Sequence, residues 1–303
     1  MQNISVAILG AGKLAHSLVA ALINAGIKVG CIFSKTSLNA KTLAKEYHIP
    51  VSTNSLSDIP STTSHFFITV TDSTIADVAE QLSVTHLQLH QKFVIHFSGV
   101  LSSRILSAIE RNGAMTGSMH ILQSFPSKQI VSIKNCAAGI ESNSNICFEE
   151  MKRIALLLDM KPFAIDAGNK SLYHVLGILV SNFITGNLAA AEELFHCCGI
   201  TGISFADLAI PIAMQTIQNA RLTGTVTSLS GPVERNDLQT IETHLSALGI
   251  ADGLNYSKEL YAEQTKYLIH VAQIKNPQTD YSAISRIIET DNRAEDTSSR
   301  IND

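Results

Sequence analysis

Short, mainly apolar runs alternate with amphipathic stretches through the first half of the chain, and the spacing of apolar positions changes with them. Ser5–Leu9, Lys28–Phe33, His65–Val70 and Phe93–Phe97 have the length and composition of strands. Leu14–Ala25, Leu38–Tyr47, Ile75–Leu82 and Ser102–Arg111 place apolar residues at helical spacing, with Gly26 ending the first. Met115–Ser118, Ala137–Glu141 and Lys161–Ile165 are short runs that complete a sheet. Strand and helix alternating at this pitch predict an α/β fold, a doubly wound parallel sheet of Rossmann type with helices on both faces.

From Ser171 onward helical spacing dominates, over Leu172–Phe195, Phe205–Thr223, Leu238–Ala247 and Ser257–Gln273, with breaks at Gly199–Gly202 and Ser230–Pro232. The change falls at Ala167–Asn169 and predicts two domains. Residues 1–167 form a nucleotide-binding α/β domain, and 168–290 form an all-α domain for substrate binding and dimerisation. Asp291–Asp303 is polar and charged and is expected to be disordered. Leu172–Ala191 is strongly apolar, but His174, Ser181, Asn182, Thr185 and Asn187 interrupt it. A membrane span needs about 20 consecutive, mainly apolar residues, so a buried helix is predicted instead. Val6–Ala21 holds two glycines, Lys13 and His16, and reads as a strand and a helix, not a secretory leader.

Composition narrows the function classes. A chain of 303 residues that is 45% hydrophobic fills two ordinary cores. The net charge of −4, with no lysine or arginine block, argues against a nucleic-acid partner. The cysteines (Cys31, Cys136, Cys147, Cys197 and Cys198) are odd in number and show no C-x-x-C spacing. They predict buried thiols in a reducing, cytoplasmic compartment, with neither a disulfide frame nor a metal site.

Gly10-Ala11-Gly12-Lys13-Leu14-Ala15 follows the first strand and opens the first helix. Gly10 permits a tight turn, Gly12 lets backbone approach a pyrophosphate, and Ala15 is small enough for helix–sheet packing. The helix start offers unpaired N–H groups and a positive dipole end to phosphate. Enzymes selective for NAD carry Asp or Glu about 20 residues further on, where it bonds the ribose 2′-hydroxyl. Here the second strand ends in Ser34-Lys35-Thr36-Ser37. Hydroxyls and a cation suit a 2′-phosphate, so NADP(H) is the expected cofactor. Thr71-Asp72 and Ser98-Gly99 end two later strands and fall beside it, although Asp72 or Ser73 equally reads as a helix cap.

Candidate chemistry lies in the second half. On one continuous helix His174, Ser181 and Thr185 fall within about 20° of a line, with Asn182 about 80° to one side. A carbonyl awaiting hydride needs a proton donor and a hydrogen-bonding amide, which His174 and Asn182 supply. Hydrogen bonds between helices explain the same stripe without chemistry. His120, in Gly117–Phe125, emerges at the ligand edge of the sheet. Arg235 has the planar fork to grip a carboxylate, or lies in a local ion pair. In the same connector Pro232 suits a helix start and Asp237 the cap of the next helix.

Six ordered stretches, Gly10–Ala15, Val70–Leu82, His96–Gly99, Ser118–Phe125, Tyr173–Phe183 and Ser230–Asp237, carry a family resemblance over roughly Ser5 to Gln273. The chain resembles Rossmann-like oxidoreductases with a helical C-terminal domain of the DUF2520 type, relatives of pyrroline-5-carboxylate reductase and of the 6-phosphogluconate dehydrogenase group. One branch resembles an alternative ketopantoate reductase, which implies NADPH-dependent reduction of 2-dehydropantoate to pantoate in coenzyme A biosynthesis. The resemblance implies a small-molecule substrate, and the apolar helical half a homodimer. Two motifs depart from the family: His-Pro reads His120-Ile121, and Arg-Gly-Asp reads Arg235-Asn236-Asp237. The lysine of better-known ketopantoate reductases, four residues before Asn182, is replaced by Ile178. His174 or His120 is then expected to give the proton, Ser181 and Asn182 to hold the carbonyl oxygen, and Arg235 to bind the carboxylate. Imine reduction, or nicotinamide sensing without catalysis, are the competing readings.

Overall fold

A computed structural model describes residues 4–251 and 253–289. Among them eight strands form one sheet: β1 (Ser5–Leu9), β2 (Lys28–Phe33), β3 (Val51–Thr53), β4 (His65–Ile68), β5 (Phe93–His96), β6 (Met115–Ile121), β7 (Ala137–Glu141) and β8 (Lys161–Ala164). Their order is β3-β2-β1-β4-β5-β6-β7-β8. The first six run parallel, β7 runs antiparallel to β6, and β8 is parallel to β7. The expected doubly wound parallel sheet is present, with an antiparallel step at β7. The chain between β6 and β7 holds no helix, so it makes no crossover and re-enters the sheet from the edge it left.

Helices α1 (Lys13–Asn24), α2 (Ser37–Glu46) and α5 (Asn145–Leu157) cover one face, and α3 (Asp72–Ser83) with the short α4 (Ser107–Glu110) covers the other. Strand residues alternate between the two cores: Val6 and Ile8 of β1 bury into the first, Ala7 and Leu9 into the second. The sequence pattern missed β3, whose three residues are too few for a period. It also missed α5, whose apolar Cys147, Met151, Ile154 and Ala155 are interleaved with charge. The helix read at Ser102–Arg111 begins as a 3₁₀ turn, Ser103–Leu106, and only then becomes α4.

Beyond the sheet come α6 (Lys170–Leu179), α7 (Asn182–Cys197), α8 (Phe205–Thr223), α9 (Leu238–Ile250) and α10 (Asn255–Lys275), and residues 282–289 are helical. The chain divides into two compact units, the first running through Asn182 and the second from Phe183. The boundary read at Ala167–Asn169 therefore falls too early. Helix α6 stays with the sheet because Lys170, its first residue, is buried there with its ammonium bonded to groups behind β5 and on β6. The single helix read at Leu172–Phe195 is likewise two, interrupted at Val180–Ser181. Ser181 Oγ donates to the Gly177 carbonyl at 2.6 Å, and Ser181 N turns to Ile178 O, so the regular ladder is lost.

Burial of that segment within the chain is also corrected. Leu172, Val175, Leu176, Leu179 and Val180 are exposed, and α7 has no buried residue. Ala167–Cys197 is long and apolar enough to cross a membrane by length and composition alone. The second unit has its own core of Val233, Ile241, Leu245, Ala262, Ile269 and Tyr281, with neighbours, built on α9, α10 and residues 282–289. Asp237 caps α9, accepting from Thr240 N at 3.1 Å as expected. Pro232 lies in a turn closed by Asp237 N on its carbonyl (2.8 Å) and does not start a helix. Cys31 and Cys147 are buried, whereas Cys197 and Cys198 are exposed, correcting the expectation of buried thiols for that pair. The tail at Asp291–Asp303 lies outside the described residues.

Candidate active site

Parallel strands align their carboxyl ends, and four of those ends carry the candidate cofactor residues. Gly10 N donates to Phe33 O at 2.8 Å and Thr69 N to Leu9 O at 2.8 Å, locking the ends of β1, β2 and β4 together. Gly10 adopts φ +122°, and a Cβ there would lie 2.9 Å from the Thr69 carbonyl carbon, so only glycine fits. Gly12 is the N-cap of α1 and has no side chain to satisfy the first-turn amides. Those amides, with exposed Lys13, fit the negative bridge of a dinucleotide. Leu14 is half-buried and Ala15 fully buried against the sheet. Ser34 and exposed Lys35 follow β2 at the same edge.

The ends of β4 and β5 are joined by side chains. Ser98 Oγ donates to Asp72 Oδ2 at 2.8 Å and accepts from Leu101 N at 3.0 Å. Thr71, not Asp72 or Ser73, is the N-cap residue of α3, and it makes no side-chain cap. Asp72 thus turns toward the sheet instead of closing its own helix. Gly99 is required by His120: a Cβ at position 99 would lie 2.9 Å from His120 Nε2.

Behind these ends sits a buried polar cluster. Lys170 is 0% exposed, and its Nζ donates to Ser98 O (3.1 Å) and Ser118 Oγ (2.5 Å). Burial pushes its pKa down to about 8, against the attraction of Glu141 and Asp72. At neutral pH it therefore remains an ammonium. Glu141 is tied by Ser103, whose N and Oγ donate to its two oxygens at 2.6 and 2.7 Å. His96 is fully buried, accepts from Ser98 N through Nδ1 at 3.2 Å, and has its pKa driven to about 4 by burial and by Lys170.

In front lies a cavity of about 370 Å³ lined by His120, Leu122, His174, Ile178, Ser181 and Asn182, among others. His120 Nδ1 is hydrogen-bonded to Tyr173 OH at 3.1 Å, and its ring stacks on His174 with centroids 6.0 Å apart. Burial, Lys170 and His174 lower the His120 pKa to about 4, so the ring is neutral at pH 7. Ser181 Oγ donates to Asn182 Oδ1 at 3.0 Å. His120, His174, Ser181 and Asn182 thus share one cavity. Thr185 and Arg235 belong to the second unit, where Arg235 is exposed.

Lys170 is the residue that sequence reasoning missed. It stands in Gly168-Asn169-Lys170-Ser171, a polar junction with no periodic signal. A lysine opening a long apolar helix was the available cue.

Two segments of the chain match known protein families. Residues 5–98 match the family described as NADP oxidoreductase, coenzyme F420-dependent, and residues 136–268 match the domain of unknown function DUF2520. No curated protein matches the chain in a sequence search. Among solved structures, a Bacteroides fragilis protein described as an NADP oxidoreductase aligns with TM-score 0.74 and 22% identity, over 88% of this chain and 98% of its own. A Thermotoga maritima protein aligns with TM-score 0.66 and 25% identity, over 89% and 99%. A reductive aminase from Aspergillus terreus, solved with NADPH and ethyl-5-oxohexanoate, shares the fold at TM-score 0.61 and 15% identity, over 94% and 100%. The chain therefore carries a Rossmann-type segment of the NADP oxidoreductase, coenzyme F420-dependent family at residues 5–98, followed by a DUF2520 domain at 136–268.

Proposed function

We propose that this oxidoreductase reduces the keto group of a small 2-oxo acid, with 2-dehydropantoate the first candidate. Gly10–Ala15, Ser34 and Lys35, with Thr71, Asp72, Ser98 and Gly99, would hold NADPH, which when bound would supply the hydride. The observation that carries the reading is Lys170, a buried ammonium bonded to Ser98 and Ser118 behind the cavity wall. Adding hydride to a carbonyl moves the C=O electron pair onto oxygen, and that oxygen must then take one proton. An iminium carbon that receives hydride becomes a neutral amine and needs none. A stored proton thus serves carbonyl reduction.

In this reading His120, neutral at pH 7, donates a hydrogen bond to the substrate oxygen and is not the acid. Asn182 and Ser181, at the break between α6 and α7, hold the same oxygen, and His174 of α6 lines the cavity beside His120. Lys170 supplies positive charge from behind the wall and is the store from which the proton is drawn, through the Ser118 hydroxyl that it bonds.

Imine reduction is the second reading, favoured by the fold shared with reductive aminases and imine reductases. Oxidation of NADPH followed with 2-dehydropantoate, a panel of other 2-oxo acids and a cyclic imine decides between them. Turnover of a 2-oxo acid but not of the imine is expected. Turnover of the imine alone overturns the proposal.

The reading includes a homodimer. Leu208 and Ile212, one turn apart on α8, and Phe183 on α7 are exposed, and burying such side chains stabilises association by roughly 25 cal/mol per Å². A second copy is the occupant that covers the same face on both partners. Light scattering is expected to give twice 32.7 kDa, and Ile212→Glu to shift the protein toward monomer. A wild-type monomer at micromolar concentration would remove the dimer.

A further inference from the structure

Between β6 and β7 residues 122–136 form neither helix nor strand, yet the segment is fastened at several points. Phe125 rests on the core beneath α1, and Ile133 is 2% exposed within it. Val131 N donates to Ser17 Oγ of α1 at 2.9 Å, and Asn135 N donates to Asp159 O at 2.7 Å. Lys134 pairs with Asp159 at 3.1 Å. The segment is thus a strap laid across α1, with its middle free to reach α2.

At that middle stands Lys128, exposed, with Nζ donating to Asn39 Oδ1 at 3.1 Å. Asn39 belongs to the first turn of α2, and its N–H bonds the Thr36 carbonyl at 3.0 Å. Residue 39 therefore sits directly on the Ser34–Ser37 turn that closes β2. Lys128 also lies near the start of α1. It opposes protonation of His16, whose pKa is lowered by burial first, with Glu46 pulling the other way. The ammonium thus stands over the first turns of both helices, at the edge where the cofactor's phosphates are held. Among the described residues no carboxylate lies within ion-pair distance of Lys128, and its partner is a neutral amide. A cation fixed by a neutral group beside the 2′-reading turn is placed to meet an anion that the free protein does not contain.

We propose that Lys128 completes the recognition of the cofactor's 2′-phosphate together with Ser34 and Lys35, so that the strap from β6 to β7 helps set the preference for NADP over NAD. A phosphate gains from each additional charge-assisted hydrogen bond. NAD, with a hydroxyl at that position, gains nothing comparable. The consequence is a selective effect, since a general weakening would mean only that the strap supports the fold.

The test titrates the full-length protein with NADPH and with NADH, following nicotinamide fluorescence and omitting substrate, so its outcome is independent of what the enzyme reduces. Lys128→Gln is expected to weaken NADPH binding about tenfold while NADH stays within about twofold, and Lys128→Arg to keep most of the NADPH affinity. Unchanged NADPH affinity in Lys128→Gln overturns the proposal. So does an equal loss for both cofactors, or a wild-type protein that binds NADH as tightly as NADPH.

Discussion

Lys170→Met should lower kcat by roughly a hundredfold to a thousandfold while leaving NADPH affinity within about threefold. The reason is that the ammonium acts on the forming alkoxide and not on the cofactor's phosphates, which are held at the Gly10–Ala15 turn. The pH profile separates this from a structural effect. Burial holds the Lys170 pKa near 8, below the usual lysine value, so the proton is present below that pH and lost above it. The wild-type rate is therefore expected to fall above pH 8, by about tenfold per unit at the steepest. The methionine variant has no proton there to lose, and its low rate should be flat through the same range. Methionine fills a similar volume but leaves Ser98 O and Ser118 Oγ without their donor and buried Glu141 without a nearby positive charge, which should cost about 2–4 kcal/mol of stability. A lowered melting temperature, still well above the assay temperature, with a collapsed, pH-independent rate is the expected combination. A variant that keeps the wild-type rate, or the wild-type fall above pH 8, would show that Lys170 is not the proton source.

The legible parts of this chain are those whose requirement is local. Gly10 must adopt φ +122° whatever the rest of the protein does, so the turn it makes is written in six consecutive residues. Helix α8 was read at its observed bounds because nineteen residues carry one period between Ser204, whose side chain caps it, and Gly224. Lys170 is the opposite case. Its meaning lies in Ser98 and Ser118, 72 and 52 positions away, and nothing around it in sequence announces that pairing. Asp72 shows the same limit on a smaller scale. Its neighbours support a helix cap, but Ser98 Oγ, 26 residues on, draws the carboxylate away. The reversed β7 escaped detection because strand direction follows from what connects two strands, and here a strap replaces the expected helix. The break at Val180–Ser181 turns on a single side-chain hydrogen bond competing with the backbone ladder, which an idealised helix ignores.

The two glycines of the phosphate turn are expected to fail differently. In Gly10→Ala the new methyl would meet Thr69 C at 2.9 Å, Thr69 O at 3.0 Å and Val70 Cγ1 at 3.0 Å, on a backbone at φ +122°. Two of those atoms are backbone at the end of β4 and cannot step aside without breaking the Thr69–Leu9 and Thr69–Gly10 hydrogen bonds. Strain and clash together should cost about 2–4 kcal/mol, a drop in Tm of roughly 5–10 °C, with NADPH binding lost as well. At Gly12 the nearest atom to an added Cβ is Thr69 O at an ordinary 3.7 Å, and φ is −85°, which any residue adopts. Gly12→Ala should therefore melt within about 2 °C of wild type and still bind NADPH at least tenfold more weakly, because the methyl stands where the pyrophosphate meets the amides of α1. Calorimetry and fluorescence titration on the two variants read these effects separately. If Gly12→Ala bound NADPH as tightly as wild type, the open first turn of α1 would not be where the phosphates sit, since there is nothing else at that position for the methyl to disturb.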